Sequence, residues 1–425
     1  MNVIKIRNMQ IILLGIVLFM ASGVVGCTKM YDQKDSTNSD EMELTAGTSE
    51  VECSFSCTMK SDTILSRNAV GPSWIAWQTP CLPDADLVYV DLDTWDIWVM
   101  NEMGKNKRCL TCYNDNILGI NFPLDDDGRL PALHWKGDPE VHPSRPFIFF
   151  KAENENSAHR KLRNSPSIGW DNDIWALNVC SKRYTRLTHM APGEGIQHSA
   201  ISNDGRWYVY PMRYDLGNPP KDFGYAKMIF CNLSVDPEGN PHLTQRFEDA
   251  PNGQMYYEPH DIRKNDSGSY TLLYTAGSKN VLDPYRYEWE CNREKCSSST
   301  GALQTTPSQH EEFTMFSPSG EQIVWMKGPL IGFGYHADLY VSTPEFTNIK
   351  RVTWYNNCSL WPLRCKRGGS QFSRLTWKDD GTAVFFGLWI HNGPLRPFSR
   401  TELHKLDFCG ECGFDSGEIG PDKAN

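Results

Sequence analysis

The chain of 425 residues lacks most of the short signatures that mark enzymes. No Gly-x-Ser-x-Gly occurs, so there is no strand-to-helix elbow to expose a hydrolase serine. No His-Glu-x-x-His occurs, and Gln309-His310-Glu311-Glu312 resembles it only superficially. A glycine-rich phosphate loop is absent too. Asp91-Leu-Asp93 and Asp125-Asp-Asp-Gly128 lack the glutamate that completes a calcium loop and read as turns. Positive charge is also short: 42 Lys and Arg stand against 52 Asp and Glu, a net of −10. That balance removes nucleic acid from the expected partners and gives no general attraction to anionic lipid. Almost no stretch keeps helical periodicity over three turns. What remains is ordinary globular composition, 40% hydrophobic and 22% charged with 33 Gly and 26 Pro.

A long apolar run is missing as well. Ile11 to Val25 is too short to cross a bilayer, which takes about 20 residues. Behind Lys5 and Arg7 it has the length of a signal-peptide apolar region. It ends Val24-Val25-Gly26-Cys27, which resembles the lipobox of bacterial lipoproteins. The resemblance implies cleavage after Gly26 and a diacylated Cys27 as the mature N-terminus. Thr28, in place of Asp, implies by the same habit no retention at an inner membrane. The expected location is therefore extracytoplasmic and membrane-anchored, on the periplasmic face of an outer membrane or at the cell surface. Residues 27–50 are polar, acidic and rich in Ser and Thr, with too few apolar anchors to order, and read as a tether. Losing Lys5 and Arg7 with residues 1–26 would move the net charge from −10 to −12. Residues 51–425 are the expected folded domain.

Fourteen cysteines fit an oxidising compartment. With Cys27 lipidated an odd number remains, so at least one thiol is free or pairs between chains. Near neighbours in sequence are Cys53/Cys57, Cys109/Cys112, Cys291/Cys296, Cys358/Cys365 and Cys409/Cys412. Connectivity does not follow from sequence. Neither C-x-x-C pair sits between a strand and a helix, so structural disulfides are expected before redox chemistry, with a zinc site built from both pairs as the alternative.

Internal repetition carries the fold. Leu87–Asp91, Asp96–Asn101 and Lys107–Thr111 read as three short strands with turns between. Asp173-Ile-Trp-Ala-Leu-Asn178 with Thr185-Arg-Leu-Thr188 repeats the last two, as does Asp338-Leu-Tyr-Val-Ser342 with Lys350-Arg-Val-Thr353. Weaker copies are Lys227–Asn232 with His242–Thr244, and Glu402–Asp407. A second element alternates with these: Ala200-Ile-Ser-Asn-Asp-Gly205, Phe316-Ser-Pro-Ser-Gly320, Trp377-Lys-Asp-Asp-Gly381, Val141–Ser144 and Lys264–Gly268 each precede an apolar, aromatic strand. The Asp-Gly or Ser-Gly tips tolerate positive φ and suit tight hairpins. Each unit is thus four strands, and six units are counted, at about 74–115, 138–190, 197–248, 257–306, 310–355 and 370–416. The expected fold is all-β, a six-bladed β-propeller of four-stranded antiparallel blades. The segment near Val51–Met59 is expected to close the ring by pairing with the last blade.

The pairing of a Ser-Pro-x-Gly hairpin with Asp-Ile-Trp-x-x-Asn and Arg-Leu-Thr resembles the repeat of TolB-type (WD40-like) propellers over about residues 74–416. His142-Pro143-Ser144-Arg145 departs from the hairpin motif, and the fourth unit has an indistinct outer half. The resemblance implies a fold and little function, because such repeats serve scaffolds, gating domains and lyases.

Histidines supply the chemical pattern. Gln197-His198, Pro259-His260 and Gln309-His310 each precede the first, innermost strand of a unit, and Gln371 holds the related place in the last. His134 and His142 flank another such start. Inner strands of a propeller line its channel, so residues some 60 apart in sequence would converge at one mouth. Imidazoles gathered there would hold a divalent metal, His198, His260 and His310 as ligands, with Gln, Glu258 and Glu311 completing the shell. His142 and Gln371 complete the expected binding set. This habit is similar to that of oligogalacturonate lyase, a propeller enzyme whose channel His and Gln hold manganese. The competing reading makes each histidine a turn cap. No cofactor follows with certainty.

Most of the 14 Trp fall inside the repeated strands and are expected to pack between blades. Trp74, Trp77, Trp135, Trp361 and Trp389 are better surface candidates. The loops Leu216–Phe223, Gly328–Tyr335 and Ile390–Phe398 are expected to project on one face. The leading expectation is a lipid-anchored binding module for an envelope protein or a glycan. The alternative is a metal-dependent, saccharide-active enzyme with a channel histidine site.

Overall fold

The computed structural model describes residues 59–112, 135–154, 169–214, 225–278, 281–291, 296–303, 309–331, 334–356, 370–390 and 400–408. Cys27, the expected tether, residues 51–58, His134, Trp361, Leu216–Phe223 and most of Ile390–Phe398 lie outside them. Among the described residues the strands form six antiparallel sheets, the blades of a six-bladed β-propeller, and all six fall within one compact unit, Val51–Asn425. The blades follow chain order. The first runs from its inner strand Ala69–Trp74 to Arg108–Cys109, and the second from Lys136–Val141 to Arg183–Arg186. In the third the inner strand is broken into Glu194–Ile196 and Ala200–Ile201, both pairing with Trp207–Tyr214. Inner strands Tyr256–Lys264 and Gln309–Phe316 open the fourth and fifth. The sixth has Ser370–Trp377, Ala383–Ile390 and Arg400–Phe408, and its outermost strand is Met59–Arg67, from the other end of the chain. The closing segment therefore lies further along than expected and shares only Met59 with it.

The repeated motifs have a specific cause. Asp173, at the start of a third strand, is fully buried and accepts from Thr188 Oγ1 (2.9 Å), the Met190 N–H (2.8 Å) and Arg186 Nη2 (2.6 Å). Asp338 repeats this with Thr353 Oγ1 (3.0 Å), the Tyr355 N–H (2.7 Å) and Arg351. Asp-Ile-Trp and Arg-Leu-Thr are thus two halves of one buried link between the third strand and the end of the fourth. In the first blade Cys109 stands where the arginine would be, and Lys136 of the next blade reaches Asp96 instead, 2.8 Å away. Packing between blades is aromatic and aliphatic: Phe149 on Tyr208, Trp207 against Tyr270 and Trp289.

Disulfides join Cys109–Cys112 and Cys291–Cys296, two of the near-neighbour pairs, and also Cys81–Cys180, which ties the first blade to the second. Cys231 is a buried free thiol. The other near-neighbour pairs lie outside the described residues. Disulfides in this number are consistent with an extracytoplasmic protein.

Candidate functional site

Each inner strand carries one extra residue at the same level. The register shifts fall between Val70 and Ser73, Gly137 and Glu140, Pro259 and Asp261, Glu312 and Met315, and Phe372 and Leu375. The third blade reaches the same result by breaking its strand around Gln197–Ser199. A bulge re-aims side chains that a regular strand would alternate between faces, and bulges gather beside functional sites. Gly71, Asp138 and Phe313 all adopt positive φ there (60°, 45° and 58°), a strained choice for the last two.

The bulges turn a set of ionisable groups onto one another. Asp138, of blade two, is bonded by Lys151 and lies 3.5 Å from His198 Nδ1 of blade three. The other ring nitrogen, His198 Nε2, stands 3.6 Å from Glu258 Oε1 of blade four. Glu258 Oε1 accepts from Gln197 Nε2 (2.7 Å) and from the Tyr256 hydroxyl, while Glu258 Oε2 receives no hydrogen bond from the described residues. Glu312, of blade five, faces Glu258 and is bonded to His310 Nε2 at 3.0 Å. One ligand atom from each of His198, Glu258 and Glu312 lies within 4.8 Å of the others. Glu258 is 1% exposed and Glu312 5%.

One step deeper along the inner strands, Arg374 of blade six reaches across to Glu140 of blade two at 2.6 Å. Blade one lies between these two and presents Gly71 at its bulge. Asp261 lies in this layer as well, its Oδ2 accepting the Phe316 N–H at 2.9 Å. Glu140 and Arg374 are almost wholly buried, whereas the His198 and Asp138 side chains keep 14% and 15% of their surface.

Charge at this centre is out of balance. Five carboxyl groups meet here, Glu140, Glu258 and Glu312 buried and Asp138 and Asp261 partly so, with Lys151 and Arg374 as their close cationic partners. Burial, then the neighbouring Glu312, pushes Glu258 up to about 8. Burial likewise pushes Glu312 and Glu140 up to about 7, and Asp261 up to about 6. Burial also opposes ionisation of Asp138, but Lys151 and His198 overcome it and hold that carboxyl below its ordinary range. The imidazoles are pushed the other way: burial depresses His198 and His260, and His310 falls to about 4. At neutral pH the Glu258–Glu312 pair keeps a proton between its oxygens, and His198, His260 and His310 are neutral. A neutral imidazole beside a proton-sharing carboxyl pair is a site that a cation can enter by displacing that proton.

The expected site residues divide. His198, Glu258 and His260 come together, with the His198 and His260 rings 6.2 Å apart. His260 Nε2 is occupied by Thr275 Oγ1 (2.9 Å) and the Phe313 N–H (3.3 Å), so it faces the fold. His310 joins the centre through Glu312. Both His260 and His310 lie within their strands and not ahead of them. Gln371 is half-buried on its strand, opposite Trp389. His142 lies between blades two and three, against Phe149 and Gly205, with Nδ1 accepting the Ser144 N–H at 3.2 Å. Glu311, expected in the shell, pairs instead with Lys327 at 3.0 Å. Sequence reasoning missed Asp138, Glu140, Lys151, Glu312 and Arg374. Alternation offered one usable signal: His310 and Glu312 are two apart and share a strand face.

The chain matches no family model and no curated protein. It does match solved propellers. Putative TolB from Agrobacterium tumefaciens is 12% identical with a TM-score of 0.37, covering 61% of this chain and 72% of its own. Oligogalacturonate lyase in complex with manganese is 9% identical with a TM-score of 0.41, over 84% of this chain and 96% of that one. Pseudomonas fluorescens PhoX in complex with vanadate is 9% identical with a TM-score of 0.44, over 84% and 97%. Likenesses this distant carry no argument about function.

Proposed function

We propose that this chain is an extracytoplasmic propeller, held at a membrane by lipid on Cys27, whose channel centre binds a divalent cation and through it an oxygen-rich ligand such as a glycan. The observation that carries this reading is the convergence of His198, Glu258 and Glu312 from three blades, their ligand atoms within 4.8 Å of one another. One imidazole and two carboxylates suit Mn²⁺, Fe²⁺ or Zn²⁺. The fit extends outward. His310 holds Glu312, while Gln197 and Tyr256 hold Glu258 Oε1 and leave Oε2 without a donor. Such outer partners orient ligands and tune affinity. A cation would also offset the buried carboxyl excess. Bound there, it would supply a Lewis-acidic position for sugar hydroxyl or carboxylate oxygens.

Metal analysis of the soluble domain, beginning after the tether, tests the reading. It should contain one divalent cation per chain after dialysis against Mn²⁺ or Zn²⁺. His198→Ala and Glu258→Gln should abolish that uptake and leave the melting curve of the apo protein unchanged or raised. Wild-type protein with no cation at any supplied concentration would overturn it, and an envelope partner captured equally well after chelation would favour binding without metal.

A second reading, metal-dependent action on a saccharide, draws on one further observation: the Glu258–Glu312 pair holds a proton that it can exchange near neutral pH. New reducing ends or unsaturated ends on an acidic oligosaccharide, lost on chelation, would support it.

A further inference from the structure

We propose that His404, held in its protonated form, is the clasp that closes the propeller ring, and that the closure weakens when the ring loses that proton. His404 sits in the middle of Arg400–Phe408. That strand pairs on one side with Ala383–Ile390 of its own hairpin and on the other with Met59–Arg67, from the opposite end of the chain. The pairing with Met59–Arg67 is the seam, because no hairpin joins those two strands.

The His404 side chain is fully buried, and both of its nitrogens meet carboxylates. Nδ1 lies 2.7 Å from Asp62 Oδ1, on the closing strand, and Nε2 lies 3.1 Å from Glu402 Oε2, two residues away on its own strand. Carboxylates only accept, and a neutral imidazole has a single N–H to donate. Deprotonation would therefore leave one carboxylate facing a lone pair in a dry site, the costly case for a buried charge. Asp62 Oδ2 accepts the Tyr355 hydroxyl at 3.0 Å, and Glu402 Oε1 faces Arg400 Nε at 3.2 Å. Phe386 stacks flat on the imidazole at 5.3 Å, and Tyr355 meets it edge-on at 5.9 Å.

Burial works against a charged ring here, but Asp62 and Glu402 outweigh it and raise His404 above its ordinary value. Every other histidine with a shift among the described residues is displaced downward. The folded form thus binds this proton more tightly than the unfolded chain, whose histidines titrate near ~6.5. The clasp contributes its full stability below that value and loses it as pH rises through the raised folded value.

Two measurements on the full domain test this. In ¹⁵N-histidine NMR of the wild-type protein at pH 7, one buried imidazole should show both nitrogens protonated, coupled to slowly exchanging N–H protons. Hydrogen exchange of the Met59–Arg67 amides should accelerate above neutral pH beyond what base catalysis of exchange gives, and beyond the amides of the second and third blades. His404→Gln, which keeps one donor, should lose that extra pH step. A spectrum in which every histidine is neutral at pH 7 would overturn the proposal without any variant having to fold. So would seam amides whose pH slope matches that of the other blades.

Discussion

At the residue scale, two kinds of buried carboxylate do different work. Asp173 and Asp338 are saturated: Thr, Arg and a backbone N–H leave them no capacity for a ligand. Replacing Asp338 by Ala strands Arg351 and Thr353 and should lower unfolding free energy by about 3 kcal/mol, read by denaturant titration. Glu258 and Glu312 are the contrary case, one oxygen lacking a donor and one proton shared between them. Because the pair's carboxyls are pushed up to about 8 and about 7, protons compete with a cation throughout the neutral range. Affinity for Mn²⁺ should accordingly rise from pH 6 to pH 8, followed by calorimetry; a flat profile would contradict a ligand role for the pair. His310→Ala, which removes only the outer hold on Glu312, should weaken binding about 10–100-fold without abolishing it. The histidines were legible in the sequence because they are rare and regularly placed. Asp138 and Glu312 were not, since a carboxylate in a strand start looks the same whether it faces solvent or a buried imidazole.

At the scale of elements, the hairpins and the Asp-Ile-Trp and Arg-Leu-Thr strands could be read directly, each having a local cause in turn residues or a repeated buried link. The inner-strand bulges could not. They insert one residue without a uniform sequence mark: Gly71-Pro72, Asp138-Pro139 and Pro259-His260 carry a proline, Phe313-Thr314 and Ser373-Arg374 do not. Yet the bulges decide which side chains enter the channel, so the site's membership was hidden while its neighbourhood was visible. The closing strand was misplaced for a similar reason: its inward residues, Asp62 and Leu65 among them, do not alternate cleanly. The Cys81–Cys180 bond, across 99 residues, was also invisible to near-neighbour pairing. It closes a long loop between two blades, and Cys180→Ser should cost about 2–4 kcal/mol, seen as a lowered Tm under oxidising conditions and absent after reduction.

For the whole molecule, the ring explains why residues from blades two to six meet at all. A blade alone leaves its faces bare, and only stacking around a centre buries them, so inner strands are forced together and whatever they carry is concentrated there. Here they carry more acid than base, with Arg374 and Glu140 paired beside them. The central claim, a divalent cation among His198, Glu258 and Glu312, is tested most directly by anomalous diffraction from a crystal of the folded domain soaked in Mn²⁺. The account predicts one strong difference peak, about 2.0–2.2 Å from His198 Nε2 and from an oxygen of each glutamate. A map with no peak there, or with manganese only at surface carboxylates, would contradict it.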